Sequence, residues 1–220
     1  SIITIQVVSR AKRMGFNLQP RDLFEHQTIA SLALIAKKES KLSSEQGRLA
    51  GPSGLLPAQH RYFETQHGTG VSYNQAVLLE LSKDIDEQTL HLIFKTLINY
   101  HDALRFSYTQ DTEKNKWIQI YHENVSNFST SDLSSYEGKQ LQEQIAIVCL
   151  ESHHRISLKN GSLSHFRWIK TSDNKPHNFL YIVIHHLAVD GVSWRVLLND
   201  LSEMLSKPKS GKLDLGLKGT

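Results

Sequence analysis

Two adjacent histidines, His185 and His186, end an apolar run and are followed at once by an acidic turn. The stretch reads Phe179-Leu-Tyr-Ile-Val-Ile-His185-His186-Leu-Ala-Val-Asp190-Gly191-Val-Ser193-Trp194. Imidazole titrates nearest neutral pH of any side chain, so it suits a proton acceptor that must later give the proton back. The β-branched and aromatic run before it reads as a buried strand, which would deliver a histidine rigidly to its own end. Side chains alternate along a strand, so the two rings point to opposite faces. His185 shares a face with Val183 and Tyr181, and His186 shares one with Ile184 and Ile182. The pattern alone does not separate them. One can face a reaction channel while the other is structural.

Other residues with chemical potential read more plainly. A single metal ion cannot easily take two divergent strand histidines, and no Cys/His set has ligand spacing, so no metal site is expected. His153-His154 ends a helical stretch with no Asp-Gly after it, and is expected to be a solvated helix end. Cys149 sits in an apolar helical stretch as a core filler rather than a nucleophile. Ser193 has no base in reach and is expected to cap the helix Trp194–Leu205. Asp190-Gly191 makes the turn. Trp194 is expected to pack that helix against the sheet. His60 and Tyr62 are expected on a helix surface, with a place lining the channel as the alternative.

The elements that must position these residues alternate. A helix is expected over 57–66, a strand over 72–81, and a helix beginning at a capping box of Asp84 with Glu87. That helix carries Leu90, Ile93, Phe94, Leu97 and Ile98 on one face. Strands follow over 104–110 and 117–122, then a helix over 135–154, strands over 163–170 and 178–186, and the helix from 194. Strands and helices mixed in this order give an α/β sandwich, one sheet with helices packed on it. Residues 1–36 read as helices. One ends near Met14-Gly15, a short turn opens at Pro20, and another helix is capped by Thr28. Residues 38–54, ending Gly51-Pro52-Ser53-Gly54, and residues 207–220 read as linkers.

Composition sets the limits. The chain has 220 residues, enough for one core and an appendage. Charged residues are 21% and the net charge is +3, without clustered Lys/Arg, so no nucleic-acid partner is expected. One cysteine permits no internal disulfide. No apolar run nears the roughly 20 residues that span a bilayer. No secretion leader is visible. A cytoplasmic chain without membrane contact is the expectation.

His185-His186-Leu-Ala-Val-Asp190-Gly191 matches the His-His-x-x-x-Asp-Gly signature of nonribosomal peptide synthetase condensation-type domains. Val192-Ser193-Trp194-Arg195 resembles the epimerisation branch of that superfamily. Leu56-Pro-Ala-Gln-His60-Arg-Tyr62-Phe-Glu64 is similar to the opening motif, and Tyr100-His-Asp-Ala-Leu-Arg105 to the second. The resemblance runs from about Gly54 to Thr220 and reaches the first half of a two-lobed domain. It implies a chloramphenicol-acetyltransferase-like lobe over 55–206, with the second lobe missing. Ser1-Ile2-Ile3 and Phe24-Glu-His-Gln-Thr-Ile29 resemble the end of a peptidyl carrier domain, here 1–37. In that family such a serine carries 4′-phosphopantetheine, which would make Ser1 the attachment residue.

The resemblance also assigns roles. His186 would be the catalytic acid/base, with His185, Asp190, Gly191, Arg105 and Trp194 supporting the site. Arg105 would pair with Asp190 in a salt bridge. The substrate would be a carrier-tethered aminoacyl or peptidyl thioester, whose Cα–H is acidified because the enolate spreads charge onto the carbonyl. Reprotonation from the opposite face would invert the centre. Its partners would be the carrier domain, the missing lobe and other synthetase modules. A condensation lobe forming peptide bonds and a non-catalytic carrier-docking fragment are the alternatives.

Overall fold

The computed structural model describes residues 2–38, 47–65, 73–111, 113, 116–123, 127–159, 162–206 and 215. The chain divides into two compact units, one of residues 1–47 with 214–220 and one of residues 48–213.

In the smaller unit, helix α1 (Ile2–Arg13) stops where Gly15 takes φ +83°, a left-handed conformation that glycine adopts without a Cβ penalty. Strand β1 (Phe16–Asn17) follows, then helix α2 (Pro20–Glu25), in place of the turn expected there. Pro20 fixes φ at the first helical position, and Asp22 reaches back to the Gln19 N–H at 2.7 Å. Helix α3 (Ile29–Ile35) is capped by Thr28, whose hydroxyl accepts the Ser31 N–H at 3.1 Å. Strand β2 (Lys37–Lys38) pairs antiparallel with β1. Ser1 lies outside the described residues.

The larger unit begins with strand β3 (Gly51–Ser53), inside the stretch expected to be linker. Its proline is tolerated because β3 is the edge of a three-stranded sheet. Helix α4 (Pro57–Thr65) and strand β4 (Asn74–Ser82) come next. Helix α5 (Glu87–Tyr100) starts at Asp86, which accepts the Thr89 N–H at 2.7 Å; the cap is therefore Asp86 and not the Asp84 and Glu87 pair. A 3-10 turn (Asp102–Arg105) leads into β5 (Phe106–Asp111) and β6 (Lys116–Tyr121). Strand β7 (Phe128–Asp132), helix α6 (Gly138–His154), strands β8 (Ser164–Lys170) and β9 (His177–His185), and helix α7 (Gly191–Ser206) complete the order.

Among the described residues of the larger unit, two sheets stand in place of the single one expected. One runs β3-β6-β5, the other β4-β9-β8-β7. The second is mixed: β7 and β8 are parallel, joined by the α6 crossover, and the remaining pairs are antiparallel. Strand β9 lies between β4 and β8 with helices on both faces, so its residues 180–185 are all buried. That is why it reads as an unbroken apolar run rather than an alternation. On one face Phe94 of α5 stacks on Phe166 of β8 at 4.5 Å, and Phe166 is paired with Ile182. On the other, Leu141 and Val148 of α6 pack with Ile169, Tyr181 and Val183.

Strand β7 is not foreseen from the residues because Phe128-Ser-Thr-Ser-Asp132 has little apolar character. Its hydroxyls answer buried polar groups on β8. Ser129 Oγ is 3.2 Å from His165 Nε2, and Arg167 donates to Ser131 Oγ at 2.8 Å. Both β8 side chains are buried and need such partners.

Candidate active site at the end of strand β9

The chain leaves β9 at His185 and turns through residues 186–190 into α7. Backbone pairing continues one residue past the strand: His186 N–H donates to the Tyr73 carbonyl at 2.8 Å. Asn74 is registered opposite His185, so Tyr73 lies opposite His186.

The two histidines are held in different states by their hydrogen bonds. His186 Nδ1 lies 2.7 Å from the Val189 carbonyl oxygen. A carbonyl only accepts, so Nδ1 carries the proton and the neutral ring keeps its lone pair on Nε2. His186 is half-buried, with Tyr73 stacked on its face at 4.7 Å between ring centroids and 24° between planes. His185 has the opposite arrangement. Its Nδ1 accepts the Leu187 N–H at 3.2 Å, which leaves the proton on Nε2, 3.4 Å from the Tyr62 hydroxyl. Burial pushes His185 down to about 4, with the neighbouring His186 adding to the shift. His185 is therefore neutral at physiological pH.

Asp190 is exposed and acts as the cap of α7. Its Oδ1 accepts the Val192 N–H at 3.0 Å, the Ser193 N–H at 2.7 Å and the Ser193 hydroxyl at 2.7 Å. These bonds, the one from the Ser193 N–H first among them, hold its carboxyl below the usual carboxylate range. Ser193 is thus a partner of the cap rather than the cap itself. Gly191 is the first residue of α7, without a positive φ, and a Cβ there would meet only open space. Trp194 secures the helix to the sheet: its Nε1–H donates to Gln75 Oε1 of β4 at 2.8 Å.

The expected salt bridge between Arg105 and Asp190 is not formed. Arg105 is fully buried and its guanidinium is already engaged. It donates to the carbonyls of Ile98 at 3.1 Å, Leu49 at 3.0 Å and His122, and to the Asp102 carboxylate. It ties the end of α5 and the 3-10 turn to the segment before β3 and the end of β6. Asp190, with backbone donors of its own, needs no cation.

Two further expectations change. His153 is not a solvated helix end. Its Nε2 is 2.6 Å from the Tyr181 hydroxyl, and burial lowers its pKa, with His154 contributing. Tyr62 is half-buried against His185, edge-on at 5.6 Å, whereas His60 is exposed. Cys149 packs against the α6 core cluster, and burial pushes its thiol up to about 11, which suits a filler. Sequence reasoning missed Tyr73, Gln75 and the Val189 carbonyl. Only the strand register, which sets Tyr73 opposite His186, could have flagged the first. Among the described residues no group of three His, Cys, Asp or Glu is placed to hold a metal ion, and no helix is long and apolar enough to cross a membrane.

Known proteins share this fold. The family model described as Condensation domain matches residues 52–214, most of the chain and the whole of the site. The chain belongs to the condensation-domain family of nonribosomal peptide synthetases. Among curated relatives in this family, a linear gramicidin synthase of Brevibacillus parabrevis is 36% identical over 223 residues, covering 100% of this chain and 4% of that protein. Chondramide synthase cmdD of Chondromyces crocatus is 35% identical over 212 residues, covering 96% of this chain and 5% of that protein. The chain thus spans about a twentieth of these synthases. The solved epimerization domain from the third module of tyrocidine synthetase B superposes with a TM-score of 0.65 at 32% identity, over 74% of this chain and 36% of that one. The starter condensation domain of rhizomide synthetase superposes with a TM-score of 0.60 at 18% identity, over 70% of this chain and 37% of that one, a likeness of fold alone. The mixed α/β, chloramphenicol-acetyltransferase-like lobe expected from the signature is the fold observed.

Proposed function

We propose that this chain is the first lobe of an epimerisation domain, in which His186 moves the Cα proton of a carrier-bound aminoacyl or peptidyl thioester. The observation that carries the reading is the hydrogen bond from His186 Nδ1 to the Val189 carbonyl. It leaves Nε2 as the nitrogen able to take a proton, on a half-buried ring at the tip of a buried strand. The thioester carbonyl acidifies that proton by spreading the enolate charge, and the free imidazole nitrogen is positioned to accept it. The proton passes from Cα to Nε2, and reprotonation on the opposite face inverts the centre. Epimerisation is favoured over peptide-bond formation by the 32% identity to an epimerization domain, against 18% to a starter condensation domain, and by the Val192-Ser193-Trp194-Arg195 continuation.

Residues 1–37 are read as the end of a carrier domain, with Ser1 as the phosphopantetheine attachment residue, and the opposing partner of His186 as a residue of the second lobe. The likeness to the linear gramicidin synthase covers the whole chain, so the stretch before the condensation match also has a counterpart in that protein.

The test loads a carrier with an L-aminoacyl thioester in deuterated water and adds a polypeptide carrying this chain with the rest of its domain. Appearance of the D-form with deuterium at Cα supports the reading; a new amide without exchange would replace it by condensation. His186→Ala lowers exchange by about 10²–10⁴-fold. Full exchange in that variant overturns the assignment. The 220-residue chain alone gives no turnover.

A further inference from the structure

We propose that Tyr73 is the positioning residue of the site, a face-on clamp that fixes the direction of the His186 Nε2 lone pair. This rests on the acid/base reading of His186. A hydrogen bond at Nδ1 restrains rotation about Cβ–Cγ but leaves the ring a residual swing out of line with it. The bond to Val189 is such a restraint, at one edge of the ring. A flat partner on the ring face removes the swing. Tyr73 supplies it, stacked at 4.7 Å and 24°.

The register of the sheet makes this contact unavoidable. Asn74 lies opposite His185, and the Tyr73 carbonyl accepts the His186 N–H at 2.8 Å, so the two side chains form a cross-strand pair just beyond the strand ends. The Tyr73 ring is itself braced, stacked with Tyr62 at 5.5 Å and 29°. Tyr62 in turn stands edge-on to His185 at 5.6 Å. Tyr62, Tyr73 and His186 form one aromatic column rooted in α4, while Tyr73 remains 42% exposed. An aromatic left this open beside a reacting nitrogen, yet held by another ring, is placed for orientation rather than for burial. Its electron-rich face also favours the imidazolium while the proton is held. The backbone bond from His186 survives any change of the Tyr73 side chain, so the clamp is separable from the strand pairing.

Two measurements test it. In the 220-residue chain, nitrogen-15 spectra of the His186 ring report which nitrogen carries the proton. The parent chain and Tyr73→Phe show the Nδ1–H form; in Tyr73→Leu the unclamped imidazole swings off the Val189 carbonyl and a mixture of both forms appears, at an unchanged melting temperature. In the polypeptide carrying the rest of the domain, Tyr73→Leu lowers kcat by roughly tenfold with KM held within about twofold, and Tyr73→Phe restores it. An unchanged His186 spectrum in Tyr73→Leu overturns the clamp whatever His186 does. An active His186→Ala overturns the acid/base reading and leaves the spectral result standing.

Discussion

The carboxylate of Asp190 accepts the backbone N–H of Ser193 at 2.7 Å and the hydroxyl of the same residue at 2.7 Å. The acid of the His-His-x-x-x-Asp-Gly signature therefore closes the first turn of the helix it precedes. Since α7 also carries Trp194, bonded to Gln75 on β4, the cap helps set the distance between the loop bearing His186 and the sheet.

Asp190→Ala removes three accepted hydrogen bonds from the start of α7. The expected loss is about 0.5–2 kcal/mol, the usual cost of deleting a helix cap. Asparagine caps nearly as well as aspartate, so Asp190→Asn retains most of the stability. Urea unfolding of both variants checks this. Equal loss in the two would mean that the negative charge, not the cap, is what matters.

Acid weakens the fold through two buried histidines. Burial pushes His185 and His165 each down to about 4, whereas unfolded histidine titrates near 6.5. Between those values the unfolded chain binds the proton and the folded chain does not. Stability is thus complete above about pH 6.5 and falls as pH drops toward about 4, at up to about 1.4 kcal/mol per pH unit for each ring. Asp190 and Asp132, whose pKa values are lowered, lose their contribution only at more acidic pH. Urea midpoints measured from about pH 7.5 to about pH 4.5 follow this slope. A flat profile across that range would contradict it.

Arg105 holds three carbonyls and the Asp102 carboxylate from a fully buried position. Removing it strands all of them. Arg105→Ala is expected to cost about 3–5 kcal/mol, the range for breaking a buried charge pair from one side. Arg105→Lys does not restore it, because an ammonium cannot present the guanidinium fork to acceptors in several directions. Thermal unfolding of the two variants decides the point; a lysine variant as stable as the parent chain would refute the multi-acceptor role.

Much of this is legible in the residues. The apolar run of β9, the histidines at its end and the amphipathic face of α5 are direct consequences of burial, which composition records. What stays hidden depends on partners distant in sequence. Strand β7 is polar because its serines answer His165 and Arg167, a reason invisible until β8 is beside it. Gly51-Pro52-Ser53 looks like a linker and becomes an edge strand only because β6 pairs with it. The Arg105–Asp190 pairing fails for a similar reason. Each residue finds nearer donors or acceptors than the other, and only the folded chain ranks those distances.

Strand β4 pairs along its whole length with β9, joining residues 74–82 to residues 177–185. Roughly a hundred residues must therefore be made between the first half of this ladder and the second, and loop closure over such a span is slow. During synthesis β4 cannot complete this ladder until β9 has been made. His186 follows β9 directly and bonds the residue before β4, so its placement waits on both halves of this ladder.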